Sequence, residues 1–119
     1  MATTPEVTAP VRYRDGTAIV DLPAQIDSSA EHALNDAYAT AAGHGSKTVL
    51  LNFGGVEFLS STGIALIVGI LARARKDGRT IRASGLSDHY REIFEITRLA
   101  DFMKIFADES AALKGEGAR

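Results

Sequence analysis

One stretch of the chain decides the fold: residues 52–69, with the sequence Asn-Phe-Gly-Gly-Val-Glu-Phe-Leu-Ser-Ser-Thr-Gly-Ile-Ala-Leu-Ile-Val-Gly. Its beginning completes the apolar run 48–53, which predicts a strand covered on both faces and therefore the central strand of a sheet. Its end belongs to the apolar segment 64–76, which predicts a helix that stops at Asp77-Gly78. The small residues 60–63 therefore place hydroxyl groups where the backbone N–H groups of a helix start lack partners.

The residues before this stretch predict a hairpin and a helix. Segments 11–14 and 17–22 flank Asp15-Gly16, a dipeptide that suits the positive φ angles of a tight turn, so the sheet opens with two antiparallel strands. Asp27 and the capping-box pattern of residues 28–31 predict a helix start. The helix that follows has an apolar stripe at spacings of three and four residues, formed by Ala30, Ala33, Leu34, Ala37, Tyr38 and Ala41.

The residues after the stretch continue the alternation of strands and helices. They predict a strand at 79–83, a helix at 87–98, a strand at 103–106 and a short helix at 108–113. This order predicts an α/β fold with a mixed β-sheet, packed with about four α-helices and joined by right-handed crossovers. In the second helix, Ile64, Ile67, Val68 and Leu71 form the predicted core stripe. The predicted core of the whole domain includes Val49, Leu51, Ile64, Ile67, Leu71 and Phe94.

Composition limits the class of protein. A chain of 119 residues with 45% apolar content predicts one domain, at 11–113, between a flexible lead-in at 1–10 and a flexible tail at 114–119. No apolar run approaches the roughly 20 residues of a membrane span, and no signal peptide is apparent, so we expect a cytoplasmic protein without membrane insertion. The net charge of −2 and the scattered basic residues give no footprint for direct nucleic-acid binding. We expect the free protein to be a monomer.

No sequence pattern predicts catalysis. Residues 43–48 have a superficial similarity to a phosphate-binding loop, but they lack its Gly-Lys-Thr adjacency and run from helix to strand. Residues 59–63 lack the first glycine of a nucleophile elbow. His32, His44 and His89 have no paired spacing for a metal, and cysteine is absent. We therefore expect no catalytic residue, no cofactor and no metal.

Three separate elements together resemble the STAS family, in particular its anti-sigma factor antagonists. Residues 52–69 are similar to the family's hydrophobic strand followed by Asp-Ser-Ser/Thr-Gly and a Leu-rich helix. Residues 25–30, Gln-Ile-Asp-Ser-Ser-Ala, resemble its Glu-Ile-Asp-x-x-Ser/Thr-Ala element. Residues 85–99 and 102–106 resemble its closing helix and strand. The resemblance covers residues 11–113 and implies a single STAS domain.

The resemblance implies a partner-switching protein that is not an enzyme. Unmodified, it would bind an anti-sigma factor that has a histidine-kinase-like ATPase fold and serine kinase activity, and so free a sigma factor. Phosphorylation by that partner at Ser61 would break the complex, and a phosphatase would restore it. Here Ser60 stands where the family has Asp, so Ser60 is a second possible acceptor. The resemblance also implies that Asp27 belongs to the loop beside Ser61 that the partner contacts.

A phosphorylated hydroxyl at this position is physically reasonable. Exposed N–H groups and partial positive charge at a helix start can hold a phosphate. The alternative that Ser60 or Ser61 only caps the helix stays open. Leu66 and Gly69 are predicted to lie opposite the core stripe near Arg73, as a docking face, unless another element of the domain covers it. The predicted partner-binding residues are therefore Asp27, Ser60, Ser61, Thr62, Gly63, Leu66, Gly69 and Arg73.

Two other functions stay open at this point. Within the family, the chain could be a STAS subunit of a larger signalling assembly or of a lipid transporter. From another class, it could be a small nucleotide-binding enzyme, which a tight affinity of the isolated protein for ATP or GTP would favour.

Overall fold

The structure is a computed structural model that describes residues 7–115. The predicted lead-in 1–10 and tail 114–119 lie partly outside these residues, so those bounds stay predictions. Two 3₁₀ turns, Ser28–Ala30 and Leu99–Asp101, accompany the regular elements. In chain order these are β1 (Val11–Arg14), β2 (Thr17–Asp21), β3 (Gln25–Ile26), α1 (Glu31–Gly43), β4 (Thr48–Asn52), β5 (Phe58–Leu59), α2 (Ser61–Asp77), β6 (Thr80–Ser84), α3 (Asp88–Ile96), β7 (Lys104–Phe106) and α4 (Glu109–Lys114).

Five strands form the main sheet in the order β1-β2-β4-β6-β7. Strand β1 is antiparallel to β2, and the remaining neighbours are parallel, so the predicted mixed sheet with an opening hairpin and four helices is confirmed. The hairpin turns at Asp15 and Gly16, which both have positive φ angles, as a two-residue type I′ turn requires. Strand β4 lies at the centre of the sheet, and its residues Val49, Leu50 and Leu51 are buried.

Helices cover the two faces of the sheet unequally. Helices α1, α2 and α3 each connect neighbouring parallel strands, and their apolar residues pack with Val49 and Leu51 into one large core. On the other face, α4 packs through Ala112 against Ile19, Leu50 and Phe106. The predicted core is largely confirmed. Five of its six residues are buried, and the sixth, Ile64, is half-buried.

The buried stripe of α2 differs from the predicted one. Val68, expected in the core, is 43% exposed, whereas Leu66, expected on the outer face, is half-buried and packs against the core. The helix is therefore rotated by roughly 70° from the predicted orientation, given about 100° per residue. Its buried positions are Gly63, Ile67, Ile70, Leu71 and Ala74.

Two helix starts also differ from the predictions. Helix α2 begins at Ser61, three residues before Ile64, because Ser60 provides the cap. Before α1, the Asp27 carboxylate accepts a hydrogen bond from the N–H of Ser29 and caps a 3₁₀ turn, in place of the predicted capping box.

Candidate functional site

A second, very small sheet positions the candidate site. Strands β3 and β5 are parallel, with Gln25 opposite Phe58 and Ile26 opposite Leu59. Because parallel strands end at the same edge, the residues that follow them, Asp27 and Ser60, meet at the N-terminus of α2. Two distant segments that were each singled out in the sequence are thus brought together.

Ser60 is the capping residue of α2. Its hydroxyl oxygen accepts a hydrogen bond from the N–H of Gly63 at 3.0 Å, and its hydroxyl donates to the carbonyl of Ile26 at 3.3 Å. Its backbone N–H donates to the same carbonyl at 3.0 Å. The half-buried Ser60 side chain therefore uses both its donor and an acceptor site within the domain.

Gly63 allows α2 to approach β3 closely. A Cβ atom at this position would lie 2.0 Å from the carbonyl oxygen of Ile26 and 2.9 Å from a methyl group of Leu59. Gly63 is buried. Its role is therefore to set the position of the helix start, and it offers little surface to a partner.

Ser61 and Thr62 are the exposed hydroxyl residues of the site. Both lie in the first turn of α2 and are exposed. Because Ser60 provides the cap, the Ser61 hydroxyl lies outside the capping interaction. The first turn of α2 contains no acidic residue, so the partial positive charge of the helix start is not neutralised from within that turn.

Asp27 contributes the negative charge of the site. Its carboxylate accepts hydrogen bonds from the N–H of Ser29 at 2.9 Å and from the Ser29 hydroxyl. These bonds hold the pKa of Asp27 below its usual value. Asp27 is therefore ionised at neutral pH, next to the helix start in which Ser61 lies.

The outer face of α2 extends from Ser61 along the helix. Gly69 is exposed, and a Cβ atom there would meet nothing within 4 Å, so a partner can approach the backbone. Arg73 is exposed, yet it is oriented by α1: its guanidinium donates to Asn35 at 3.1 Å and lies 4.6 Å from the ring centre of Tyr38. Gly69 and Arg73 therefore share the exposed face that the prediction assigned to them, whereas Leu66 does not.

Two residues of the site were missed by sequence reasoning. Phe58 is 49% exposed immediately before the site, beside Gln25. The Tyr90 hydroxyl of α3 accepts a hydrogen bond from the N–H of Leu59 at 3.0 Å, which fixes the end of β5. In a strand, neighbouring residues point to opposite faces, so burial of Leu59 could have indicated that Phe58 is exposed. No local signal identified Tyr90.

Two further features are absent from the described part of the chain. Between residues 7 and 115, no helix has the length and apolar content to cross a membrane. Within the same range, no three His, Asp or Glu side chains come together as metal ligands.

A mostly parallel sheet with three helices on one face, and exposed hydroxyls at the start of the second helix, defines a small α/β domain with a surface hydroxyl site. The family described as "Mlab, STAS domain" matches residues 10–106. The chain belongs to the STAS domain family, which confirms the resemblance found in the sequence.

Known proteins similar to this chain agree with that assignment. An anti-sigma-B factor antagonist of Staphylococcus aureus is 33% identical over 61 residues, which cover 51% of this chain and 56% of the relative. The chain thus matches about half the length of that relative. The name of that relative describes a regulator that acts against an anti-sigma factor.

Solved structures share the fold. A STAS domain protein from Planctomyces limnophilus is 20% identical with a TM-score of 0.79, covering 93% of this chain and 98% of its own. The Bacillus cell fate determinant SpoIIAA in its phosphorylated form is 20% identical with a TM-score of 0.69, covering 92% and 100%. At these identities the similarity establishes the architecture.

Proposed function

We propose that this protein is an anti-sigma factor antagonist that acts by partner switching. In its unmodified form it binds an anti-sigma factor with serine kinase activity and thereby releases a sigma factor. Phosphorylation of Ser61 ends this interaction, and a separate phosphatase restores it. The observation that carries the proposal is the division of roles at the start of α2, where Ser60 caps the helix and leaves Ser61 exposed.

Ser61 is the better acceptor of the two serines. The acceptor hydroxyl must be accessible at the domain surface, so that it can enter the active site of the kinase. The Ser60 hydroxyl is half-buried and bonded to both Gly63 and Ile26, so its phosphorylation would remove the helix cap. Phosphorylation of Ser61 leaves the hydrogen bonds of the Ser60 cap in place.

The phosphate is tolerated by the domain but not by a complex. Near the α2 N-terminus, unpaired N–H groups and the helix dipole favour a negative group. The added charge of about −1.5 to −2 lies beside the ionised Asp27, so the local surface becomes strongly acidic. Binding to an apolar partner surface would then remove water from the phosphate, which costs free energy. Binding to an acidic partner surface would bring like charges together.

The neutral Ser60 increases the contrast between the two states. With no carboxylate at this position, the first turn of α2 has no acidic residue, and Asp27, which follows β3 beside it, supplies the negative charge of the proposed surface. Because the unmodified site carries little charge, the charge of about −1.5 to −2 that phosphorylation adds is large in comparison. The hydroxyl of Ser60 also donates to Ile26, which an ionised Asp could not do.

The proposed contact surface combines exposed residues along α2 with the half-buried Asp27 beside its start. It comprises Asp27, Ser61, Thr62, Gly69 and Arg73 as predicted, with Ser60 and Gly63 setting the backbone beneath them. Phe58 adds an exposed aromatic side chain at its edge. We further propose that the protein acts in the cytoplasm and is a monomer when free.

Phosphopeptide mass spectrometry on protein isolated together with its partner tests the assignment. Residues 60, 61 and 62 lie in one peptide, so fragment ions must separate them. We expect phosphate on Ser61. Phosphate on Ser60 alone, with none on Ser61, would contradict the proposed division of roles, and a tight affinity for ATP in the isolated protein would favour an enzyme instead.

A further inference from the structure

An exposed apolar surface lies between the middle of α2 and the turn before β7. Val68 is 43% exposed and Phe102 is 54% exposed, and they border a cavity of about 190 Å³ between α2 and the turn before β7. We call this cavity the apolar groove. It is lined by Val68, Leu71, Ala72, Arg75, Leu99 and Phe102.

The far side of the groove is held in place by specific contacts. Arg98 adopts a φ angle of 68°, which is unusual for a residue with a side chain, and it begins the turn Leu99–Asp101. Its guanidinium pairs with Asp101 at 2.7 Å across that turn. The Arg75 guanidinium lies 5.9 Å from the ring centre of Phe102. Phe102 is therefore presented at the surface by a defined backbone conformation.

The groove has a basic rim. A neighbouring cavity of about 450 Å³ shares Leu71, Arg75 and Phe102 with it and extends to Lys104. Both Arg75 and Lys104 are exposed, and neither has an acidic partner within 4.0 Å among residues 7–115. One acidic residue, Asp101, also lines that neighbouring cavity, and its carboxylate is paired with Arg98. An apolar depression with a positive edge is thus left without an occupant among these residues.

The chemistry of the groove selects one class of occupant. Its apolar part is smaller than the roughly 300–1,000 Å³ of typical small-molecule sites, and it suits one large apolar side chain of a larger partner. In a two-fold dimer whose axis passes through the groove, a second copy of this chain would bring Arg75 and Lys104 against the same basic rim, which like charge opposes. Acidic residues beside the anchor would instead complement the rim.

We propose that the apolar groove binds an acidic segment of a partner protein, with one large apolar side chain inserted between Val68 and Phe102 and carboxylates facing Arg75 and Lys104. Arg75 lies 14 positions after Ser61 on α2, a distance of about 21 Å at 1.5 Å per residue. Val68, at the near end of the groove, lies seven positions after Ser61, about 10 Å, so the groove extends away from Ser61 and none of its lining residues is a hydroxyl residue of the switch.

The test is an NMR titration of the ¹⁵N-labelled full chain with a synthetic peptide. The probe carries a single Phe between Glu residues, and the matched peptide carries the same Phe between Lys residues. We expect saturable shifts of the amides of Val68, Ala72 and Phe102 with the Glu peptide, and at least about threefold weaker binding of the Lys peptide.

Variants of the protein locate the interaction. Phe102→Ala and Arg75→Glu should each weaken binding of the Glu peptide by about threefold or more. Ile96→Ala and Lys76→Glu are the matched controls, because Ile96 is 72% exposed and Lys76 follows Arg75, yet neither lines the groove. Both controls, and Ser61→Glu, should bind the peptide as the wild type does.

Three outcomes would overturn the proposal. Absence of shifts at the groove at millimolar peptide would exclude the site. Equal binding of the Glu and Lys peptides would exclude the basic rim as a determinant. Concentration-dependent shifts of the same amides without peptide would assign the groove to self-association.

Discussion

Gly63 of α2 lies directly against the carbonyl oxygen of Ile26 in β3. A Cβ atom on residue 63 would come within 2.0 Å of that oxygen, far inside any van der Waals contact. This contact joins the two segments that form the candidate site, because Asp27 follows Ile26 and Ser61 precedes Gly63 by two residues. The position of the exposed Ser61 hydroxyl therefore depends on Gly63, which is buried.

Gly63→Ala should destabilise the protein by at least about 1–3 kcal/mol, because backbone must move to accommodate the added methyl group. Gly69→Ala is the matched control on the same helix, since a Cβ atom there meets nothing within 4 Å. Alanine is the better helix former, so this control should leave stability unchanged or raise it by up to about 1 kcal/mol. Urea unfolding measures both, and equal effects of the two substitutions would mean that the contact at Ile26 is misplaced.

Ser60→Ala should cost about 0.5–2 kcal/mol, because it removes the cap of α2 and the donation to Ile26. Ser61→Ala, one residue further, should stay within about 0.5 kcal/mol of the wild type, as exposed substitutions do. Thermal and urea unfolding of the two variants make the comparison. A larger loss for Ser61→Ala than for Ser60→Ala would reverse the roles assigned to the two serines.

An ion-pair network on the opposite side of the sheet predicts a pH dependence. Arg12 contacts Asp21 and Glu109, each at 2.6 Å, and so links the hairpin to α4. Its hydrogen bonds are the main reason that the pKa values of Asp21 and Glu109 lie below their usual range. The unfolded chain binds these protons at higher pH than the folded protein. The contribution is therefore complete at pH 7 and is lost as the pH falls from about 4, the ordinary pKa of these carboxyls, through their lower pKa in the folded protein.

Arg12→Gln should reduce this loss of stability between pH 7 and pH 3. The groups are partly exposed, so solvent limits each pair to about 1 kcal/mol or less. Arg91→Gln, which removes only the 4.0 Å contact with Glu95 on the surface of α3, is the control. Urea unfolding at the two pH values provides the readout, and an unaltered pH dependence in Arg12→Gln would show that the network does not couple to folding.

Local chemistry explains why much of the fold was predictable. Asp15-Gly16 determines a tight hairpin turn, and the continuous apolar residues of β4 determine a buried central strand. Neither prediction needs knowledge of distant residues. The pairing of β3 with β5 does need it, because strands of two residues carry no periodic signal.

The predicted orientation of α2 was wrong because it too depends on contacts with distant residues. Apolar residues occur nearly all round the helix between Ile64 and Leu71, so hydrophobicity alone does not define its buried face. The fit of Gly63 against Ile26 shows which side faces the core. The same rotation exposes Val68, which sequence reasoning had assigned to the core, at the edge of the apolar groove.

The candidate site was predictable in part. Ser60 as a helix cap follows from local sequence, and Ser61 as an acceptor follows from the family resemblance. The burial of Gly63 and the role of Tyr90 depend on tertiary contacts that no local pattern encodes.

Calorimetric titration against the cognate anti-sigma kinase tests the central claim most directly. The four forms compared are the unmodified protein, the Ser61-phosphorylated protein, Ser61→Ala and Ser61→Glu. We expect phosphorylation to weaken binding about a hundredfold or more, equivalent to about 2.8 kcal/mol, while Ser61→Ala binds as the unmodified protein does. Ser61→Glu should have a smaller effect in the same direction, since it carries less charge than phosphate. Equal affinities of the phosphorylated and unmodified forms would contradict the switch at Ser61.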